Sequence, residues 1–294
     1  MKRVINIVLL TLIVSASMLS GCSQGANAPG TGKMLVLASI PPLGDFARQV
    51  GGNRVEVKVL VPPGASPHTY ELKPSQLKDL SRAKVLVLVG LGLEFWSDKA
   101  IKAADNPDLI VVRTSDGLEI LQGEGGKGNP HVWLDPINAI HMVESIRDAF
   151  IKADPEGKEI YQANADAYIK QLKSLDREIR ERVQGFSQKK FIAFHPAWVY
   201  FAKRYGLTQA AVIENIPGKE PSPDDIARII EIAKETKARA IFAEPQFSPK
   251  AAKIIAEESG AKVVFLDPLG GVPGRETYIE LMKYDLSQME KGLK

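Results

Sequence analysis

The sequence predicts an α/β protein of two lobes, each a four-stranded, mainly parallel sheet with flanking helices, joined by one long rigid helix. Three observations carry this prediction. Short β-branched apolar runs alternate with segments of helical periodicity, as parallel strands joined by crossover helices require. The runs fall into two sets of four. Between the sets, from Pro155 to about Gln184, Ile160, Tyr168, Leu172, Leu175, Ile179 and Val183 keep helical steps while charged residues fill the other faces.

The elements follow in order. Residues 1–21 begin with Lys2 and Arg3, continue through an apolar stretch from Val4 to Val14, and end in small residues. This is the pattern of a secretory signal, too short for a comfortable membrane span. Leu19-Ser20-Gly21-Cys22 has the form of a bacterial lipobox, with cleavage before Cys22 and lipidation of its thiol. Cys22 is the chain's single cysteine, so no disulfide is expected. Residues 22–32 are polar and Gly-rich, a flexible tether. The net charge of +3 becomes nearly balanced once Lys2 and Arg3 leave, and no nucleic-acid footprint is visible.

The N-terminal lobe is expected over 33–153, with strands at 34–39, 55–61, 85–90 and 109–115. The linking helix takes 154–185, with Gly185 as its stop, and about thirty residues of helix span roughly 45 Å. The C-terminal lobe takes 186–294, with strands at 190–195, 208–213, 239–244 and 262–267. Helix starts are marked where a capping residue precedes proline, at Asp135-Pro136, Asp154-Pro155, Ser222-Pro223 and Ser248-Pro249. Gly90 and Gly92 follow a strand, but the third glycine and the later acidic residue of a dinucleotide loop are missing. Phe95 and Trp96 are expected to pack at a helix start.

In open parallel sheets, ligands bind beyond the carboxyl ends of the strands. Three of the four histidines fall there, each beside proline: Pro67-His68, Pro130-His131 and His195-Pro196. Proline narrows the backbone and lowers the ordering cost of presenting an imidazole. His141 lies inside a predicted helix and is set aside. Glu244 and Asp267 also end strands. Asp135 is explained by capping the helix that Pro136 begins, whereas Asp267-Pro268 is followed by "LGGVPGR", which starts no ordinary helix. Asp267 is therefore expected to have no structural task and to join His68, His131 and His195 as a metal ligand. Glu244 is expected to accept the outer N–H of one imidazole. Three imidazoles and a carboxylate suit zinc well and manganese less well.

The lipobox, "PPGASPHTYELKPSQLKDLSRAKVLVLVGLGLE", "NPHVWLDP", "FHPAWVYFAKRYGL", "FAEPQFSPKAAKIIAEESGAKV" and "LDPLG" together resemble the metal-binding lipoproteins of bacterial ABC importers for zinc and manganese. The resemblance covers nearly the whole chain after the signal. It implies two α/β lobes joined by one long helix, a metal ion held between them, and delivery to a membrane permease and its ATPase. By motif it carries over His68, His131, His195 and Asp267, the last with water as its competitor for the fourth position. It favours the zinc branch, with Zn2+ as the transported ligand and Mn2+ as the alternative. Two departures stand out. The loop before Asn129 is only "GEGGKG", without the His- and acid-rich insertion of many zinc members, and the disulfide of some relatives cannot form.

The resulting expectation is a monomeric, lipid-anchored receptor outside the cytoplasmic membrane that captures zinc and is not an enzyme. The alternatives are a manganese or broad divalent-metal receptor, a zinc hydrolase with Glu244 as general base, and a surface adhesin.

Overall fold

The computed structural model describes residues 32–123 and 128–294. The expected signal at 1–21, the lipidated Cys22 and all but the last residue of the tether lie outside the described residues. So do positions 124–127 of the loop before Asn129.

Every expected strand is present. The first sheet holds β1 (Met34–Ala38), β2 (Val55–Val59), β3 (Val85–Leu88) and β4 (Ile110–Arg113) in the order β2-β1-β3-β4. The second holds β5 (Lys190–Ala193), β6 (Thr208–Val212), β7 (Ala240–Ala243) and β8 (Lys262–Phe265) in the order β6-β5-β7-β8. All neighbouring pairs are parallel. The strands stop one or two residues short of the apolar runs that announced them. Those last residues leave the ladder and enter the loops where His195, Glu244 and Asp267 stand.

Side chains alternate between two layers at the strand period of two. Val36 and Ala38 of β1 and Val85 and Val87 of β3 enter a central core. Leu37, Leu86 and Leu88 face the other way, onto α2 (Pro74–Leu80) and α3 (Ser97–Ala104). In the second sheet Phe191, Ala193 and Phe242 point to the central core. Ile192, Ile241 and Ala243 pack on α7 (Pro223–Glu235) and α8 (Lys250–Ser259). Both faces of each sheet are covered, which is why the strands read as continuous apolar runs.

The long helix, α5 (Lys158–Gln184), joins the lobes. Its buried residues Tyr161, Tyr168, Leu172, Leu175, Ile179 and Val183 belong to the central core that both lobes share. The helix begins later than the Asp154-Pro155 pair suggests. Pro155–Gly157 form a 3-10 turn, because the Asp154 carboxylate accepts hydrogen bonds from Arg54 and Tyr161 instead of capping. Ile160, expected on the apolar stripe, is 42% exposed, and Tyr161 takes that place. Phe95 is likewise 54% exposed, while Trp96 is buried as expected. Asp135 and Ser222 cap α4 (Pro136–Ala153) and α7 as their sequences indicate. α8 starts after Pro249 rather than at it.

α1 (Pro41–Gly51), α5 and α9 (Tyr278–Leu293) meet at one buried carboxylate. Asp45 Oδ2 accepts from Tyr168 Oη at 2.9 Å and from the Tyr278 backbone N–H at 2.9 Å. Replacing Asp45 with alanine strands both buried donors. We expect a loss of about 2–4 kcal/mol in urea unfolding, with an unchanged m-value; a loss below about 0.5 kcal/mol would show that water satisfies the two donors.

Candidate metal centre

Loops leaving the carboxyl ends of both sheets converge. His68 lies after β2, His131 after β4 and His195 two residues after β5. His131 Nε2 stands 3.0 Å from His68 Nε2 and 3.1 Å from His195 Nε2. Nitrogen ligands at tetrahedral zinc are separated by about 3.3 Å, from a Zn–N distance of about 2.0–2.1 Å. The observed triad therefore needs to open by only a few tenths of an ångström to accept an ion. Among the described residues, these three side chains form the one cluster of histidine, cysteine or carboxylate residues with metal-holding spacing.

The protons of two of these rings are located by their outer partners. Asn129 Oδ1 accepts the His131 backbone N–H at 3.0 Å, and Asn129 Nδ2 donates to the Pro196 carbonyl at 2.7 Å. The amide orientation is thereby forced. His131 Nδ1, 3.0 Å from the same Oδ1, must carry its proton and donate it. His195 Nδ1 donates to Glu244 Oε1 at 2.8 Å, with Oε2 at 2.7 Å straddling the same nitrogen. The Glu244 carboxylate is therefore the acceptor of the His195 ring N–H. Each ring is left with an Nε2 lone pair aimed at the shared centre.

Burial keeps His68 and His131 neutral. It lowers the His68 pKa to about 3, with His195 as a lesser electrostatic contributor. Burial also holds the His131 pKa well below the ordinary histidine value, helped by His195 and His68. Neutral imidazoles are the ligand form, so a metal meets little proton competition near neutrality.

The frame around His131 is built across the lobes. Trp133 Nε1 donates to the Pro268 carbonyl at 2.7 Å, and Tyr278 Oη donates to the Trp133 carbonyl at 2.6 Å. Tyr200 Oη donates to the Asn129 carbonyl at 2.8 Å, and Arg204 Nε donates to Asp135 at 2.9 Å. Asn129 was not among the expected site residues, although an amide two positions before a histidine is a recognisable turn-forming signal. His141 faces the Asp116 carbonyl and stays outside the site.

Asp267 is placed differently from its expectation. Its Oδ1 accepts from Gln246 Nε2 at 2.9 Å and from the backbone N–H groups of Leu269 and Gly270 at 3.1 Å each. Its Oδ2 pairs with Arg275 Nη1 at 3.0 Å. The idea that Asp267 lacks a structural task is therefore corrected. Its carboxylate organises the turn through Gly270 and Gly271, where φ is 63° and 76°. Asp267 does not join the three imidazoles in the cluster.

A family profile described as "Zinc-uptake complex component A periplasmic" matches residues 36–292. The chain belongs to this family. It is 33% identical to the manganese-binding lipoprotein MntA of Halalkalibacterium halodurans, over 96% of each chain. It is 31% identical to the high-affinity zinc uptake system protein ZnuA of Bacillus subtilis, over 96% of this chain and 94% of that one. A crystal structure of ZnuA superposes with a TM-score of 0.83 at 37% identity, covering 89% of this chain and 99% of that one. Family membership accounts for the two-lobed fold, and the histidine cluster lies where the carboxyl ends of its two sheets meet.

The two lowered histidines make a pH signature. In the unfolded chain they protonate near 6.5, whereas His68 in the folded chain resists protonation until about pH 3. The unfolded state binds more protons through that window, so the metal-free protein loses stability as pH falls from about 6.5 towards 3. We expect His68→Asn to flatten this part of the stability profile in urea unfolding; an unchanged slope would remove His68 from the account.

Proposed function

We propose that this chain is the substrate-binding component of an ABC importer for a divalent metal. The ion is zinc, held between the lobes by Nε2 of His68, His131 and His195. The observation that carries this reading is the convergence of three Nε2 atoms on one centre, with the Nδ1 atoms of His131 and His195 already donating to Asn129 and Glu244. Lone pairs so close together repel one another unless a cation lies between them. Three imidazoles form a nitrogen-rich set, which suits zinc better than the harder manganese ion. The buried Glu244 carboxylate adds negative charge behind His195 and offsets part of the ion's charge.

We further propose the chain's organisation and location. Residues 1–21 direct export, lipid on Cys22 anchors the mature chain outside the cytoplasmic membrane, and residues 22–32 tether it. The lobes at 33–153 and 186–294, joined through 154–185, present the ion to the permease and its ATPase. No described helix is long and apolar enough to cross a membrane. Binding rather than catalysis suits the cavity between the lobes, whose volume of about 10 Å3 accommodates roughly one water or one bare ion. An organic substrate needs about 300 Å3 or more. Glu244, engaged with His195 Nδ1, is also poorly placed to act as a general base.

Competition against a chromophoric chelator tests the site. His131→Ala and His195→Ala are each expected to weaken zinc binding by more than about 100-fold, and Glu244→Gln by about 10–100-fold. Near wild-type affinity in both histidine variants would refute the reading. In a matched titration zinc is expected to bind more tightly than manganese; the reverse order would transfer the assignment to manganese.

A further inference from the structure

The cavity around the three histidines is small because aromatic and apolar side chains crowd it. Phe247, from the loop after β7, has its ring centre 5.3 Å from that of His195. It stacks nearly parallel on the buried Phe194, at 5.1 Å and 12°. Trp133 stands in the same relation to His131, with 5.3 Å between ring centres, and its indole N–H is held by the Pro268 carbonyl. Pro67, Pro268 and Leu269 complete the apolar lining. Among the described residues, Glu244 is the one carboxylate that lines the cavity, and its two oxygens straddle His195 Nδ1. The other polar side chains there, Ser66 and Gln246, are uncharged. The Gln246 NH2 group donates to Asp267, so its oxygen is the free end.

We propose that Phe247 is a specificity-determining residue: its ring closes the space in which a cation gathers ligands beyond a tetrahedral set, and so disfavours manganese relative to zinc. This inference rests on the three-histidine reading above. Manganese favours six ligands, mostly oxygen, in an octahedral array, whereas zinc is satisfied by four. Beyond three imidazoles, an octahedral ion needs three further ligand atoms. A single water takes up about 10–15 Å3 of such a cavity, so three exceed the volume of about 10 Å3 that is present. Aromatic carbons do not coordinate, and an ion that prefers six ligands gives up hydration there that nothing in the wall replaces. The wall does not retreat cheaply. Trp133 is bonded at both its indole N–H and its carbonyl, and Phe247 would have to leave its stack on Phe194. Phe247 is the informative residue to change because it is only half-buried. Removing its ring opens the site to solvent and does not leave a sealed void.

The test uses the full chain with zinc, manganese and cobalt(II). Cobalt is the spectroscopic probe, since its visible absorption is intense in tetrahedral sites and weak in octahedral ones. The wild-type chain is expected to bind cobalt with the intense tetrahedral spectrum. Phe247→Ala should weaken that absorption severalfold and lower the ratio of zinc to manganese affinity by about tenfold or more. Phe247→Leu, which keeps a bulky apolar side chain in the wall, should shift both readouts less. Leu269→Ala opens the same wall from the loop after β8 and should shift them in the same direction as Phe247→Ala, so either variant decides the matter if the other does not fold. Thermal unfolding of each metal-free variant checks folding. Equal losses of zinc and manganese affinity in Phe247→Ala, with the tetrahedral spectrum kept, would make Phe247 a packing residue only and overturn the proposal. A six-coordinate spectrum in the wild type would overturn it too, and loss of binding in His131→Ala would then leave the three-histidine site standing. Wild-type binding by His131→Ala would overturn the underlying site as well.

Discussion

The two hydrogen bonds at the outer nitrogens of His131 and His195 are the constraint on which the site depends. Each commits Nδ1 as a donor, one to Asn129 and the other to Glu244, and so turns an Nε2 lone pair inward. Burial then prevents His131 from relieving the crowding by taking up a proton. An interior that gathers unprotonated imidazoles in this way is unfavourable by itself and becomes favourable when a cation arrives. Folding energy from the surrounding core holds the arrangement until then.

That core is continuous from one lobe to the other, with α5 running through it. Around the site the lobes are joined by directed polar contacts as well as by apolar packing. Asn129 reaches the backbone beside His195, Trp133 reaches the loop after Asp267, and Tyr278 returns to Trp133. Separating the lobes as rigid bodies would break these buried bonds together. Capture and release therefore fit small local movements better than a wide hinge, and loop 62–73, which carries the half-buried His68, is the natural place for them.

Asp267 and Asp135 illustrate how far a sequence can assign carboxylates. Both stand before proline at the end of an apolar run. Asp135 caps α4 and also receives Arg204, as its helix-start grammar allows. Asp267 has no helix to cap, yet it accepts two backbone N–H groups of a glycine turn, the Gln246 amide and an arginine pair. A tight turn uses a carboxylate as fully as a helix end does, but its donors are not visible until the backbone is folded. The capping box of α9, Thr277 with Glu280, is by contrast an exchange of hydrogen bonds within one helical turn.

The sequence by itself determined the two sets of four strands, the long connecting helix, the capped starts of α4 and α7, and the three proline-framed histidines at strand ends. These features depend on periodicity and on interactions within a few residues. Only the tertiary structure decided that Tyr161 rather than Ile160 faces the core, that Asn129 fixes the proton on His131, and that Asp267 serves its own loop while Gln246 turns its oxygen to the cavity. Each of those outcomes depends on partners distant in the chain: Pro196 for Asn129, and Arg275 and Gln246 for Asp267. Local rules place a side chain at the site, but what it donates or accepts there depends on which distant groups the fold brings within about 3 Å.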